Sequence, residues 1–225
     1  MTSPLDDPQY RAGIVELLGA LAYGEISASQ RIVDDARLAP DLPTRVEVAA
    51  MAATEFQHFL LLRDQLASLG VDPYQAMEPF IETFERFHGR TKPSDYLEGL
   101  VKMVVGDGLA ADFYREIAAY LDADTRSLIL ETMSDTTHSE FIFAQIRSAI
   151  DANPAVAGRL ALWGRRLMGE ALSQAQLLVA ERDALTAVLV GGVDTPGMDL
   201  ASIGRMFARI TDAHTERMGK LGLEA

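Results

Sequence analysis

The chain has 225 residues, a mass of 24.5 kDa, a formal net charge of −13 and no cysteine. Its 48% hydrophobic and 24% charged content suits a folded globular chain rather than a disordered one, and the missing Cys excludes disulfide frameworks, thiolate metal sites and cysteine nucleophiles. Residues 1–150 hold 12 Lys/Arg against 24 Asp/Glu, whereas 151–225 hold 8 against 9, so a broad grip on nucleic-acid phosphates is not expected.

Apolar residues recur at intervals of three and four, and no long stretch alternates as a half-buried strand does. The N-terminus, MTSPLDDPQY, has neither the basic nor the apolar region of a secretory signal. No apolar run reaches the ~18–20 residues that cross a bilayer, so a cytoplasmic location is expected. The first predicted helix covers 9–37, and Pro40 and Pro43 separate it from a second over 43–69. Gly70-Val71-Asp72-Pro73 ends that helix. A connection of about 24 residues follows, with a shorter helical piece near 79–88, long enough to cross from one end of a bundle to the other. Pro93-Ser94-Asp95 caps a third helix over 94–121, and a fourth covers 123–150. Asn153-Pro154 precedes a fifth over 156–189, and the run Gly191–Gly197 precedes a sixth over 197–221. The expectation is one all-α domain over 1–225. A four-helix bundle over about 9–150 has one long crossover, and two additional C-terminal helices follow over about 156–221.

An internal repeat carries the chemistry. Glu25 on the first helix is followed by Glu55-Phe56-Gln57-His58 on the second; Asp107 on the third is followed by Asp135-Thr136-Thr137-His138 on the fourth. The separations are 30 and 28 residues, and Gln65-Leu66 and Gln145-Ile146 continue the match. Glu25 stands in the stripe Leu18, Leu21, Ala28, Ile32, and Glu55 and His58 in the stripe Val48, Met51, Leu62, Leu66. Asp107 stands with Leu100, Val104 and Tyr114, and Asp135 and His138 with Leu128, Ile142 and Ile146. All six groups therefore point at the presumed core. Four carboxylates buried together repel one another and lose hydration, at a cost of several kcal/mol per ion. Two divalent cations neutralise them, with the His nitrogens completing the coordination. A metal-free salt-bridge network in a helical interaction protein is the opposing reading. Glu85-Arg86-Phe87-His88 also spells acid-x-x-His, but it lacks an upstream inward acid. It reads as a decoy at a helix end, with His88 near terminal carbonyls. His214 reads as a surface or C-terminal-bundle residue.

The order Glu, Glu-x-x-His, acid, acid-x-x-His over four helices resembles the ferritin-like di-iron carboxylate superfamily. More narrowly, Tyr23-Gly24-Glu25, Thr54-Glu55-Phe56-Gln57-His58-Phe59 and the run Val105–Tyr114 resemble the bacterial tRNA hydroxylase-like (MiaE-like) branch, as does Gly169-Glu170-Ala171-Leu172-Ser173-Gln174-Ala175-Gln176. That resemblance implies a ferritin-like bundle and a di-iron, O2-dependent hydroxylase (a monooxygenase) acting on methylthio-isopentenyl-adenosine in tRNA. It implies Glu25, Glu55, His58, Asp107, Asp135 and His138 as ligands to two Fe ions, with Mn an alternative and O2 the co-substrate. Asp107 and Asp135 stand where the superfamily has Glu, one methylene longer. Glu131 and Glu170 are the candidate substitutes.

Oxygen and nitrogen donors without sulfur suit Fe(II) or Mn(II). Tyr23, Phe56, Phe59, Phe113 and Tyr114 neighbour the ligands and are assigned to core packing; Gln57 and Thr136 face away. A tRNA partner would have to use a limited basic patch drawn from Arg86, Arg90, Lys92, Arg165 and Arg166. An unidentified electron donor and a homodimer complete the expected partners. A ferritin-like iron- or peroxide-handling protein without organic substrate is the alternative function.

Overall fold

The computed structural model describes residues 3–132, 139–191 and 197–224. α1 (Pro8–Asp35) and α2 (Leu42–Ser68) pack along each other as a helical hairpin. The chain then crosses through α3 (Pro73–Met77), a 3₁₀ turn (Glu78–Phe80) and α4 (Ile81–Arg90) to α5 (Tyr96–Ala118). α6 (Ala123–Glu131) and α7 (Ser139–Ala152) both pack on α5, and α5 also touches α1. α8 (Ala155–Glu181), α9 (Asp183–Gly191) and α10 (Leu200–Lys220) complete the chain, with no strand among the described residues. This is the expected all-α bundle with a long crossover.

Aspartates start the helices. Asp7, Asp41, Asp72, Asp95, Asp122 and Asp199 are the N-caps of α1, α2, α3, α5, α6 and α10, each accepting from backbone N–H groups of the first turn. A carboxylate there satisfies orphan donors and opposes the positive end of the helix dipole. Part of the acidic excess is therefore structural. Asp122 also accepts from the Tyr10 hydroxyl at 2.8 Å, which ties the start of α1 to the turn before α6. The inward stripes meet in one core: Leu18, Leu66, Leu100, Ile146, Leu160 and Met218, from six different helices, are all fully buried.

The helix predicted over 123–150 is described on both sides, as α6 and α7, with residues 133–138 between them outside the described set. One boundary differs from expectation. The helix predicted over 156–189 ends at Arg182, whose φ of −124° and ψ of 86° are not helical. α9 then lies along α1, so three C-terminal helices stand where two were expected. The cause is tertiary. Glu16 on α1 accepts the Leu185 backbone N–H at 3.0 Å in the first turn of α9, and Arg182 donates to the Pro79 carbonyl at 3.1 Å while lying over the Phe80 ring. No described helix is long and apolar enough to cross a membrane.

The α1–α9 contact depends on Gly13, where an added Cβ would overlap Val188 Cγ2 and the Ala184 carbonyl oxygen. Gly158 on α8, by contrast, has no atom within 4 Å of that position. In chemical denaturation, Gly13→Ala is expected to lose about 1–3 kcal/mol through overpacking. Gly158→Ala is expected to gain up to about 1 kcal/mol from helix propensity. Equal midpoints for the two variants would contradict the close approach.

Candidate metal centre

The inward stripes of α1 and α2 bring three of the six expected ligands together. Glu25 comes from α1, between the buried Leu21 and Ile32; Glu55 and His58 sit one turn apart on α2, between the buried Met51 and Leu62. His58 Nδ1 lies 3.5 Å from Glu25 Oε2 and 3.8 Å from Glu55 Oε2. All three donor atoms fall within 4.8 Å of one another, with side-chain exposures of 12–15%. Donors bound at ~2.0–2.2 Å to a common ion stand at separations of this size.

Asp107 lines the same cavity from α5, outside that three-residue cluster. It is exposed where it borders the cavity. Its carboxyl is raised well above the usual range, first by desolvation and then by the nearby Glu55 charge, with His58 and Arg217 opposing. Asp135 and His138 lie outside the described residues.

The electrostatics are those of a site short of positive charge. Burial, with Glu25 adding to it, raises the Glu55 carboxyl well above the usual carboxylate range. Hydrogen bonds to Glu25 and Glu55 hold the His58 imidazole up to about 10 against its own desolvation. Among the described residues, the His58 imidazolium thus supplies the positive charge in direct contact with the two carboxylates. A divalent cation would do this better, displacing protons as it bound. The residues fit a metal in donor type, spacing and charge.

A cavity of about 600 Å³ opens onto the cluster. Its apolar wall includes Met51, Phe84, Phe87, Met103 and Ile142. The buried Tyr114 also lines it, and the Tyr114 hydroxyl is pushed far up by desolvation and by Glu25 and Glu55, so it stays a protonated donor. On the α10 side, Arg217 donates to Asp112 Oδ2 at 2.5 Å and to the Gly108 carbonyl at 3.1 Å. A Cβ at position 108 would overlap that guanidinium, so Gly108 lets Arg217 reach α5 beside Asp107.

Several expectations are corrected. His88 is buried rather than capping a helix end: its Nε2 lies 3.3 Å from Ser27 Oγ, and it lines the cavity. Glu85 pairs instead with Arg31 at 2.5 Å, so Glu85 and His88 form no joint cluster among the described residues. Of the two places expected for His214, the C-terminal helices hold it: it is buried on α10. Glu170 pairs with Arg90 at 3.3 Å, and neither it nor the exposed Glu131 lines the cavity. Phe56 is 41% exposed, while Phe59 and Tyr114 are buried. Gln57 is exposed, as its helical position requires; Thr136 lies outside the described residues. The basic candidates are largely engaged within the chain. Arg86 pairs with Glu82, Arg165 donates to the Glu224 carbonyl, and Arg166 donates to the Arg90 carbonyl while lying over Trp163; Lys92 is exposed.

Sequence reasoning missed Lys102, buried on the cavity wall, and Arg217. A cation inside the apolar run Leu100-Val101-Lys102-Met103-Val104-Val105 was a readable signal for the first. Nothing local marked the second.

In metal-free protein, Glu55→Gln is expected to raise stability by about 1–2 kcal/mol at pH 8, measured by chemical denaturation. A carboxyl raised in the folded state costs stability as pH rises from its unfolded value near 4.5 through its folded one, and glutamine removes that cost. The same variant should lose the thermal shift that Fe(II) or Mn(II) produces anaerobically in the wild type. A wild type without a metal-induced shift, or a variant that keeps it, would contradict the site.

No curated protein matches the chain. Among the matching solved structures is one described as protein 19 with aldehyde deformylating oxidase activity from Synechococcus. It is 21% identical with a TM-score of 0.72, and the match covers 96% of this chain and 93% of that one. That likeness shows the fold. A family model described as the ferritin-like domain of actinomycetes matches residues 8–192, which takes in α1 to α9 and every described residue of the carboxylate–histidine cluster. The chain belongs to this actinomycete ferritin-like family.

Proposed function

We propose that the protein is a di-iron, O2-dependent oxidative enzyme acting on a small organic substrate. The observation that carries this reading is the cavity of about 600 Å³ that opens directly onto the carboxylate–histidine cluster, its wall combining Met51, Phe84, Phe87, Met103 and Ile142 with charged side chains. A pocket of this size, with apolar surface and a few polar groups beside the cluster, suits an organic molecule. The oxidase activity in the name of the Synechococcus protein of the same fold lends support.

Glu25, Glu55, His58 and Asp107 would hold the metals, with Asp135 and His138 completing the set that the resemblance implies. Iron bound there supplies the electrons that activate O2. The remaining work belongs to the chain. Met51, Met103, Phe84 and Ile142 exclude water from the reacting carbon. The Tyr114 hydroxyl, held protonated near Glu25 and Glu55, is an O–H donor for charge developing beside the cluster. Arg217, anchored to Asp112 and Gly108, puts a fixed positive charge near Asp107.

Hydroxylation of prenylated adenosine in tRNA is a second reading, favoured by the motif resemblance around Glu25, Glu55 and Asp107. The intramolecular pairing of Arg86, Arg90, Arg165 and Arg166 favours the small-molecule reading over it. One experiment separates them. Iron-loaded protein and its Glu55→Ala variant are supplied with a reductant, ¹⁸O₂ and either the small-molecule fraction or the tRNA of the source cells. Products are then read by mass spectrometry. An ¹⁸O-labelled small molecule with the wild type alone is the expected result; label on the prenylated adenosine would move the assignment to tRNA. Iron oxidation or peroxide loss without a labelled organic product would overturn both.

A further inference from the structure

The cavity runs beyond the carboxylate cluster to a second polar end. α1 and α5 lead there together: Arg31 lies six residues after Glu25, and Lys102 five before Asp107, or about 9 and 7.5 Å along the axes at 1.5 Å per residue. Ala28 on α1 and Met103 and Val104 on α5 line the stretch between. At the far end stand Lys102 and His88 as buried residues, 8% and 9% exposed, with Arg31 beside them.

This end is under-satisfied. Lys102 forms no ion pair within 4.0 Å and no hydrogen bond among the described residues; its ammonium is 5.8 Å from the Phe87 ring centroid. His88 Nδ1 and Arg31 Nε are buried without a partner. The other charges facing the group are Asp35, which lines the same end, and Glu85, which is taken up by Arg31. A buried ammonium without a partner in contact is costly, and here it is set where a ligand can reach it.

We propose that Lys102, with His88 and Arg31 around it, seats the carboxylate head of an amphipathic organic acid whose carbon chain extends along Met103 and Ala28 toward the metal cluster. This rests on the oxidative reading above and names its substrate class. A monoanion matches the single ammonium that lacks an ion pair within 4.0 Å, and the Asp35 carboxylate at the same end opposes a second negative charge more than a first. The Lys102 ammonium is drawn down to about 8 by burial, with Asp35 opposing, so it remains mostly charged near neutral pH. The apolar stretch then places a carbon several bonds from the carboxylate, not the carboxylate itself, against the metals.

The test is calorimetric titration of the full-length iron-loaded protein, kept anaerobic, with octanoate and with neutral octanamide, in the wild type and Lys102→Met. The wild type should bind octanoate roughly tenfold or more tighter than octanamide, the scale of one charge-assisted hydrogen bond. Lys102→Met should bind the two about equally while keeping its thermal midpoint, since it removes an unpaired buried charge. Equal affinities in the wild type, no saturable octanoate binding, or a preference that survives in Lys102→Met would each overturn the seat. The last would assign the carboxylate to the metals. Iron content measured on the same samples reports separately on the metal site, so loss of one assignment is distinguishable from loss of the other.

Discussion

Negative charge held inside an apolar bundle is the constraint on which this structure turns. Glu25 and Glu55 face each other across the α1–α2 hairpin with only the His58 imidazolium in contact, and Asp107 adds a third acid from α5. Glu25 and Glu55 are flanked one turn away by the nearly fully buried Leu21 and Met51, so neither can turn out to water without unpacking its helix. The protons that the metal-free cluster retains express this cost. A metal bound there would relieve it, and so would couple the stability of the bundle to occupancy of the site.

That half of the site was legible because helix periodicity is a local rule. Glu55 and His58 at i and i+3 must share a face, and Glu25 in a stripe of Leu and Ile must share the core with them. One N-cap was legible as well: Pro93-Ser94-Asp95 marks the start of α5, where Asp95 accepts the Glu98 backbone N–H. What was not legible depends on distant residues. The break at Arg182 is made by Glu16, which captures the Leu185 amide from 169 residues away, and no Pro or Gly marks it. His88 was misread because its partner, Ser27, is 61 residues upstream. The basic side chains looked available as a patch, yet Arg90 and Arg166 are spent joining α4 to α8.

The cavity has two chemically different ends, and α5 carries a residue of each. Asp107 lies near the electron-rich cluster and Lys102 stands in the far end, with apolar wall between. Such a gradient orients an asymmetric molecule: its charged head and its oxidisable carbon are sorted by the same pocket. α10 closes the other side through Arg217 lying over Gly108, although the family match ends at residue 192.

The most direct measurement is an anomalous difference map, collected at the iron edge from crystals of protein loaded anaerobically with Fe(II). The account predicts one peak bounded by Glu25, Glu55 and His58 Nδ1, and a second within reach of Asp107. Loaded crystals with iron only at surface carboxylates, and none among these four side chains, would contradict it.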